Sequence, residues 1–301
     1  MEVGIGVDMG GTRIKIGLVR QGKLLADATI AASSHVSLSD RLVEIAEKVD
    51  ELLKENKAVP VGIGIAFPGI VDHVRCKVLS KYVKYPDAQE VDFVKWAKQR
   101  WNIPVALEND AKAALIGEWQ FGNGKGCKDL VLVTLGTGVG SGVMIDGKLL
   151  SGRNFVAGNL GGHMTINVHG KECNCGNIGC LESESSTWNL QKERNIDFKT
   201  LFQLAAEGDQ QAVEVRDSCL KAWSLGIISL IHAFDPERIV VGGGIMMSGD
   251  IVLSNIREMI VKHSWVKNNP PEVVAAAHPD FAGILGMYYL VTTSNKVHAA
   301  L

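Results

Sequence analysis

The sequence carries little charge of either sign in excess: 31 Lys and Arg stand against 33 Asp and Glu, a net of −2 at pH 7. That balance excludes a globally cationic nucleic-acid binder, although it allows local basic patches. With 46% hydrophobic and 21% charged residues it also excludes disorder. Long apolar runs are missing. The longest, around 61–71 and 225–234, are interrupted by Gly, Pro, Ser and His and fall short of the roughly 20 residues that a bilayer span needs. Met1-Glu2-Val3-Gly4-Ile5 has neither a basic n-region nor a cleavage pattern, so a leader is not expected and the protein is expected in the cytoplasm. Low-complexity and Pro-rich linker segments are lacking too, which leaves short hinges, expected near 110–120 and 280–290, to join any domains.

What is present begins with length and glycine. At 301 residues the chain is long enough for about two domains, and its 33 glycines gather in short runs after apolar segments, as backbone-lined ligand loops require. The strand-like Val3–Val7 runs into Asp8-Met9-Gly10-Gly11-Thr12, followed by Arg13–Val19. Leu130–Thr134 runs into Leu135-Gly136-Thr137-Gly138, followed by Val139–Ile145. Setting Thr12 on Thr137 also sets Gly17 on Gly142, Gly22 on Gly147 and Lys23 on Lys148. This is an internal duplication, and it predicts two similar α/β lobes around a central cleft, each presenting one Gly/Thr turn to it. Helical spacing of apolar residues marks 42–53 and 251–260; strands are predicted at 61–66, 104–107 and 238–241. A final apolar helix around 283–293 is expected to return to the first lobe.

Neither turn has the Gly-x4-Gly-Lys-Ser/Thr or Gly-x-Gly-x-x-Gly spacing, which argues against a P-loop or a Rossmann dinucleotide site. Two matched turns instead suit a clamp on a nucleotide triphosphate, since phosphates need close backbone N–H groups. Asp8 can hold Mg²⁺ beside such a loop. The second copy has Leu135 before its first glycine, so the acid is unpaired between the copies. Glu108-Asn109-Asp110 ends a strand and opens a helix; Asp110 suits either a helix N-cap or a general base that takes a hydroxyl proton in phosphoryl transfer. Asn109 can both donate to and accept from sugar hydroxyls.

His163 with Cys173, Cys175 and Cys180 offers three thiolates and an imidazole without a carboxylate, the donor set of a closed structural Zn²⁺ site. His169 is an alternative ligand on spacing. Cys76, Cys127 and Cys219 are scattered singly and read as ordinary interior or near-surface thiols.

Asp8-Met9-Gly10-Gly11-Thr12, Glu108-Asn109-Asp110-Ala111, Leu135-Gly136-Thr137-Gly138-Val139-Gly140, His163 with Cys173-Asn174-Cys175-Gly176-Asn177-Ile178-Gly179-Cys180-Leu181-Glu182, and Val240-Val241-Gly242-Gly243-Gly244 together resemble the ROK family of bacterial sugar kinases, of glucokinase or allose kinase type. The resemblance implies an actin-like (ribonuclease H-like) two-lobed ATPase fold, ATP with Mg²⁺, structural Zn²⁺, and phosphorylation of a hexose, usually on its 6-hydroxyl. It divides the chain into a lobe at 1–117 joined by a helix at about 284–301, and a lobe at 118–283 holding a zinc segment at 163–182. By position it makes Asp110 the base and puts Asn109, His163, Glu182, Asn159 and Gly69 on the sugar. Asp8 would position the metal; Gly10, Gly11, Thr12, Thr137 and Gly138 would contact phosphates, and Gly243 and Gly244 would line the adenosine side. His163 would bind sugar with one nitrogen and zinc with the other. A homodimer with neither nucleic-acid nor membrane partners is expected.

Two departures stand out. Where family members commonly read Gly-Glu-x-Gly-His, this chain reads Gly158-Asn159-Leu160-Gly161-Gly162-His163, an amide for a carboxylate and one glycine more. Ser80-Lys81-Tyr82-Val83-Lys84-Tyr85 is basic and aromatic where an Asn-containing sugar loop often stands; Tyr82 and Tyr85 there suit exposed loop residues without a ligand role, or else stacking on a sugar ring. The same family contains sugar-responsive repressors that place a DNA-binding module before the first strand; strand-like sequence here from Val3 disfavours one. A non-catalytic sugar or nucleotide sensor is the alternative reading, disfavoured by the intact Asp8, Thr12 and Asp110.

Overall fold

The structure, a computed structural model, describes residues 1–32, 36–81 and 84–298. It forms two compact units. The first comprises Met1–Lys125, Gly152–Val156 and the chain from Asp280; the second comprises Gly126–Ser151 and Ala157–Pro279.

In the first unit, β1 (Glu2–Met9), β2 (Arg13–Arg20) and β3 (Lys23–Ala31) form an antiparallel meander. After α1 (Leu38–Glu55), β4 (Val59–Phe67) pairs parallel with β1. A small hairpin, β5 (Val71–Asp72) and β6 (Lys77–Val78), and α2 (Phe93–Trp101) lead to β7 (Val105–Asn109), parallel to β4, and to α3 (Asp110–Phe121). The sheet order is β3-β2-β1-β4-β7.

The second unit repeats this. β8 (Leu130–Leu135), β9 (Val139–Ile145) and β10 (Lys148–Leu149) form the meander, and α4 (Leu181–Ser185), α5 (Thr187–Arg194), α6 (Phe198–Ala206) and α7 (Gln210–Phe234) follow. Then come β11 (Arg238–Gly242), α8 (Ile251–His263) and β12 (Glu272–Ala275), in the order β10-β9-β8-β11-β12. The duplication read from the sequence is therefore a duplication of topology.

The last helix, α9 (Ala282–His298), lies in the first unit against α3, β1 and β4. The strands permit this by alternation. Ile5, Val7, Ile63 and Ile65 enter the core beside Leu42 and Ile45 of α1. Gly4, Gly6, Gly62 and Gly64 face α9, where a Cβ would run into Tyr288, Ile284, Val291 and Met287 respectively. The chain leaves the first unit after Lys125, beyond the hinge expected at 110–120, because α3 runs unbroken along α9 to Phe121. Residues 299–301 of the expected terminal helix lie outside the described residues. Among the described residues no helix is long and apolar enough to cross a membrane.

Candidate active site

In the first unit β1 delivers Asp8 to the mouth of the turn at Gly10–Thr12. The last register pair before this turn is Met9 with Ile14; in the second unit it is Leu135 with Val139. The first turn is thus one residue longer. Asp8, opposite Lys15, corresponds to Thr134, opposite Gly140, and not to the residue aligned with it by counting back from the threonines. The conclusion that one turn alone carries the acid is unchanged. Gly283 of α9 packs on the Asp8 carboxyl, where a Cβ would stand 3.1 Å from Oδ2. Burial, opposed by the Lys15 ammonium, leaves this carboxyl raised to about 6. A partly buried acid that resists ionisation alone suits a dication, so Asp8 fits Mg²⁺.

β7 ends and α3 begins at the Glu108-Asn109-Asp110 junction. Asn109, and not Asp110, is the N-cap: its Oδ1 accepts the Lys112 N–H at 3.2 Å. Asp110 occupies the first helical position. The Asn109 amide then donates to Asp110 Oδ1 and to the Gly69 carbonyl, both at 3.0 Å. Asp110 Oδ1 also accepts the Ala111 N–H at 2.8 Å. Burial first, and then the neighbouring Asp8 charge, raise the Asp110 carboxyl to about 7 against the Ala111 and Asn109 donors. A carboxylate poised near neutrality is what a general base at physiological pH requires. Gly69 takes φ +151, and a Cβ there would stand 2.6 Å from Ser80 Oγ, which itself accepts the Ile70 N–H.

In the second unit the Gly136–Gly138 turn is braced by its own Gly136 N–H to Gly138 carbonyl bond at 3.0 Å. Thr137, like Thr12, is exposed. Gly243 adopts φ +93 at the end of β11, with its α-carbon against the Leu135 carbonyl. Gly244 lies beside Gly136. The turn and the Gly243-Gly244 pair are neighbours.

His163, Cys173, Cys175 and Cys180 converge: one ligand atom from each lies within 4.8 Å of the others. His163 Nδ1 is 3.5 Å from Cys173 Sγ and Cys175 Sγ is 3.7 Å from Cys180 Sγ, and all the cysteines are free thiols. His169 does not belong to the cluster. Burial, reinforced by the neighbouring sulfurs, raises Cys180 to about 12 and also raises Cys173. Three sulfurs and one imidazole converging without a carboxylate fit a soft dication such as Zn²⁺.

Residues 4–294 match the ROK family along nearly the whole chain. The chain belongs to the ROK family. It is 35% identical to a glucokinase of Thermotoga maritima over 94% of this chain and 95% of that one. A ROK family glucokinase of Streptomyces griseus, solved with glucose and AMPPNP, has the same fold at a TM-score of 0.82, with 30% identity over 97% of this chain and 99% of that one. A xylose repressor of Bacillus spizizenii is 27% identical over 95% of this chain and 76% of its own length. The fold is the actin-like ATPase fold of ROK sugar kinases.

In this ROK chain the departures acquire physical reasons. Gly161 and Gly162 open the 3-10 turn that ends at His163, and a Cβ at either would collide with β9, with Ser141 Oγ or with the Val139 carbonyl. The additional glycine lets the His163 turn sit on β9. Asn159 is buried, and its Oδ1 finds no partner among the described residues. Tyr85, read as an exposed loop residue or a stacking one, is 1% exposed and sits in the core 6.3 Å from Phe67. Tyr82 lies outside the described residues.

Sequence reasoning missed Lys84 and Lys112. Lys84 Nζ donates to the Gly11 carbonyl in the first turn. Lys112 is fully buried, its Nζ donating to the Phe155 carbonyl at 3.1 Å, and it draws the carboxyl of buried Glu108 down against the rise caused by burial. A lysine inside the apolar run 111–116 was the available signal for the second; nothing in the spacing marked the first.

Proposed function

We propose that the protein is an ATP-dependent sugar kinase of the hexokinase/glucokinase type that transfers the γ-phosphoryl group of ATP to the 6-hydroxyl of glucose or a related hexose. The observation that carries this reading is Asp110: a carboxylate aimed by Asn109, beside Asp8, and poised near neutrality. Asp110 takes the proton of the acceptor hydroxyl as its oxygen forms a bond to the γ-phosphorus. The bond from that phosphorus to the β,γ-bridging oxygen breaks, ADP leaves, and the proton passes to solvent.

We assign Gly10, Gly11, Thr12, Thr137 and Gly138 to phosphate contacts and Gly243 and Gly244 to the adenosine side. Asn109, Gly69, Asn159, Glu182 and the free Nε2 of His163 receive sugar hydroxyls. Mg²⁺ at Asp8 would offset phosphate charge, and Zn²⁺ held by His163, Cys173, Cys175 and Cys180 would hold the loop that carries them. The family membership and the glucokinase relatives support this reading. The unpartnered carbonyl of Asn159, in a motif that the family resemblance would fill with a carboxylate, supports an acceptor whose groups near that position differ from those of glucose, or which donates a hydrogen bond to an uncharged acceptor.

The experiment is ADP release from Mg-ATP against hexoses, amino and N-acetyl sugars and disaccharides. Turnover with one sugar class supports the kinase and identifies what Asn159 selects. The xylose repressor relative favours a second reading, a non-catalytic sensor; sugar binding with ADP release absent across the panel would establish it.

A further inference from the structure

The metal-ligand segment does more than surround its own cluster: it grips the second Gly/Thr turn at four points. Two residues beyond the ligand Cys180, Glu182 Oε2 accepts the N–H of Val139, the residue through which the turn re-enters β9, at 2.8 Å. Further along, the Thr187 N–H donates to the Gly136 carbonyl at 3.1 Å and the Trp188 N–H to the Thr137 carbonyl at 3.0 Å. From the other side Gly162, next to the ligand His163, packs on the Val139 carbonyl so closely that no Cβ would fit. The Val139 residue is therefore held by its N–H and its C=O between two segments that each carry a metal ligand. Gly138 is part of the same fit, since a Cβ there would strike the Glu182 carboxylate.

We infer that Glu182 is a positioning residue for the Gly136–Gly138 turn, through which occupancy of the Cys/His cluster controls how the turn meets nucleotide phosphates. This rests on the nucleotide reading of that turn given above. Without a cation the four donors have no common bond to hold 163 and 180 together. The Leu181 N–H to Met164 carbonyl bond at 3.0 Å, the Ile166 N–H to Gly179 carbonyl bond at 2.8 Å and the Cys180 thiol to His163 carbonyl contact at 3.3 Å then remain between the two segments, none of them made by Glu182 or Gly162. Glu182 and Gly162 follow their ligands, and the Val139 peptide loses its two-sided hold. A carboxylate accepting a backbone N–H is a charge-assisted bond, so its loss is felt in the turn and not only at the sugar.

The test is AMPPNP binding by calorimetry to the metal-loaded protein in the absence of sugar, with amide hydrogen exchange of 136–139 read in parallel. Glu182→Ala is expected to weaken AMPPNP binding about tenfold or more and to speed exchange at Val139. Glu182→Gln, whose amide oxygen still accepts the Val139 N–H, should stay within about threefold of the parent. Wild-type protein stripped of metal by a chelator should resemble Glu182→Ala. AMPPNP affinity and Val139 exchange both unchanged in Glu182→Ala would overturn the inference. If wild-type protein does not bind AMPPNP, the nucleotide reading of the turn fails. The exchange data alone then decide whether metal and Glu182 hold the turn: accelerated exchange at Val139 supports the hold, and unchanged exchange overturns it.

Discussion

Asn109 Nδ2 donates to Asp110 Oδ1 at 3.0 Å while Asn109 Oδ1 caps α3 by accepting the Lys112 N–H. One side chain thus starts the helix and aims the carboxylate at its first residue. Asn109→Asp keeps an oxygen for the cap but loses the donor and sets a second buried carboxylate against Asp110 and the Gly69 carbonyl, so the acid limb of kcat/KM should shift to higher pH and the melting temperature should fall at neutral pH. Asn109→Ala should lose both, with a stability cost of about 1 kcal/mol from the cap. A pH–rate profile and a melting curve for each variant check this; an unshifted limb in Asn109→Asp would contradict the aiming role.

The Asp8 charge is the second cause of the high Asp110 value, after burial. Asp8→Asn removes that charge, so the acid limb, expected near pH 7 in the parent, should move down. The readout is the pH dependence of sugar binding or a carboxyl-carbon NMR titration of Asp110, so that loss of turnover in the variant does not obscure it. A limb that stays in place would mean that burial alone sets the value.

Raised carboxyl values also govern stability. Asp110 ionises near 3.8 in the unfolded chain and near 7 in the folded one, so its favourable contribution is complete below about pH 4 and is lost as pH rises through 7. Asp110→Asn carries no charge to bury and keeps an oxygen for the Ala111 N–H. It should melt higher than the parent at pH 8, by a few degrees, and the gain should shrink between pH 7 and pH 4. Melting curves at those pH values decide; a difference independent of pH would contradict the burial argument.

Much of this arrangement was legible in the sequence, and the parts that were not share a cause. The paired glycine turns disclosed the repeated sheet because backbone-lined turns leave a residue pattern. The Cys/His cluster was legible because ligand spacing is local. Counting residues misaligned Asp8 by one, since the difference in turn length lies where both copies are glycine-rich and only strand register reveals it. Tyr85, in a basic loop, read as an exposed residue or a stacking one, but it is buried against Phe67, 18 positions earlier. The bonds from Lys84 to Gly11 and from Lys112 to Phe155 are tertiary and leave no local trace.

Metal content should follow the cluster. Cys175→Ser removes one of four donors, and elemental analysis should find the bound zinc lowered by at least about tenfold at submicromolar free metal, with weaker sugar binding because His163 loses its anchor. Unchanged zinc would exclude Cys175 as a ligand.

The most direct test is the turnover of Asp110→Asn with the preferred sugar, measured beside that sugar's dissociation constant. The account predicts kcat reduced by about 10² or more with sugar affinity within a few-fold of the parent, because the isosteric amide keeps the Ala111 bond but cannot take the proton. A kcat close to that of the parent would contradict Asp110 as the base.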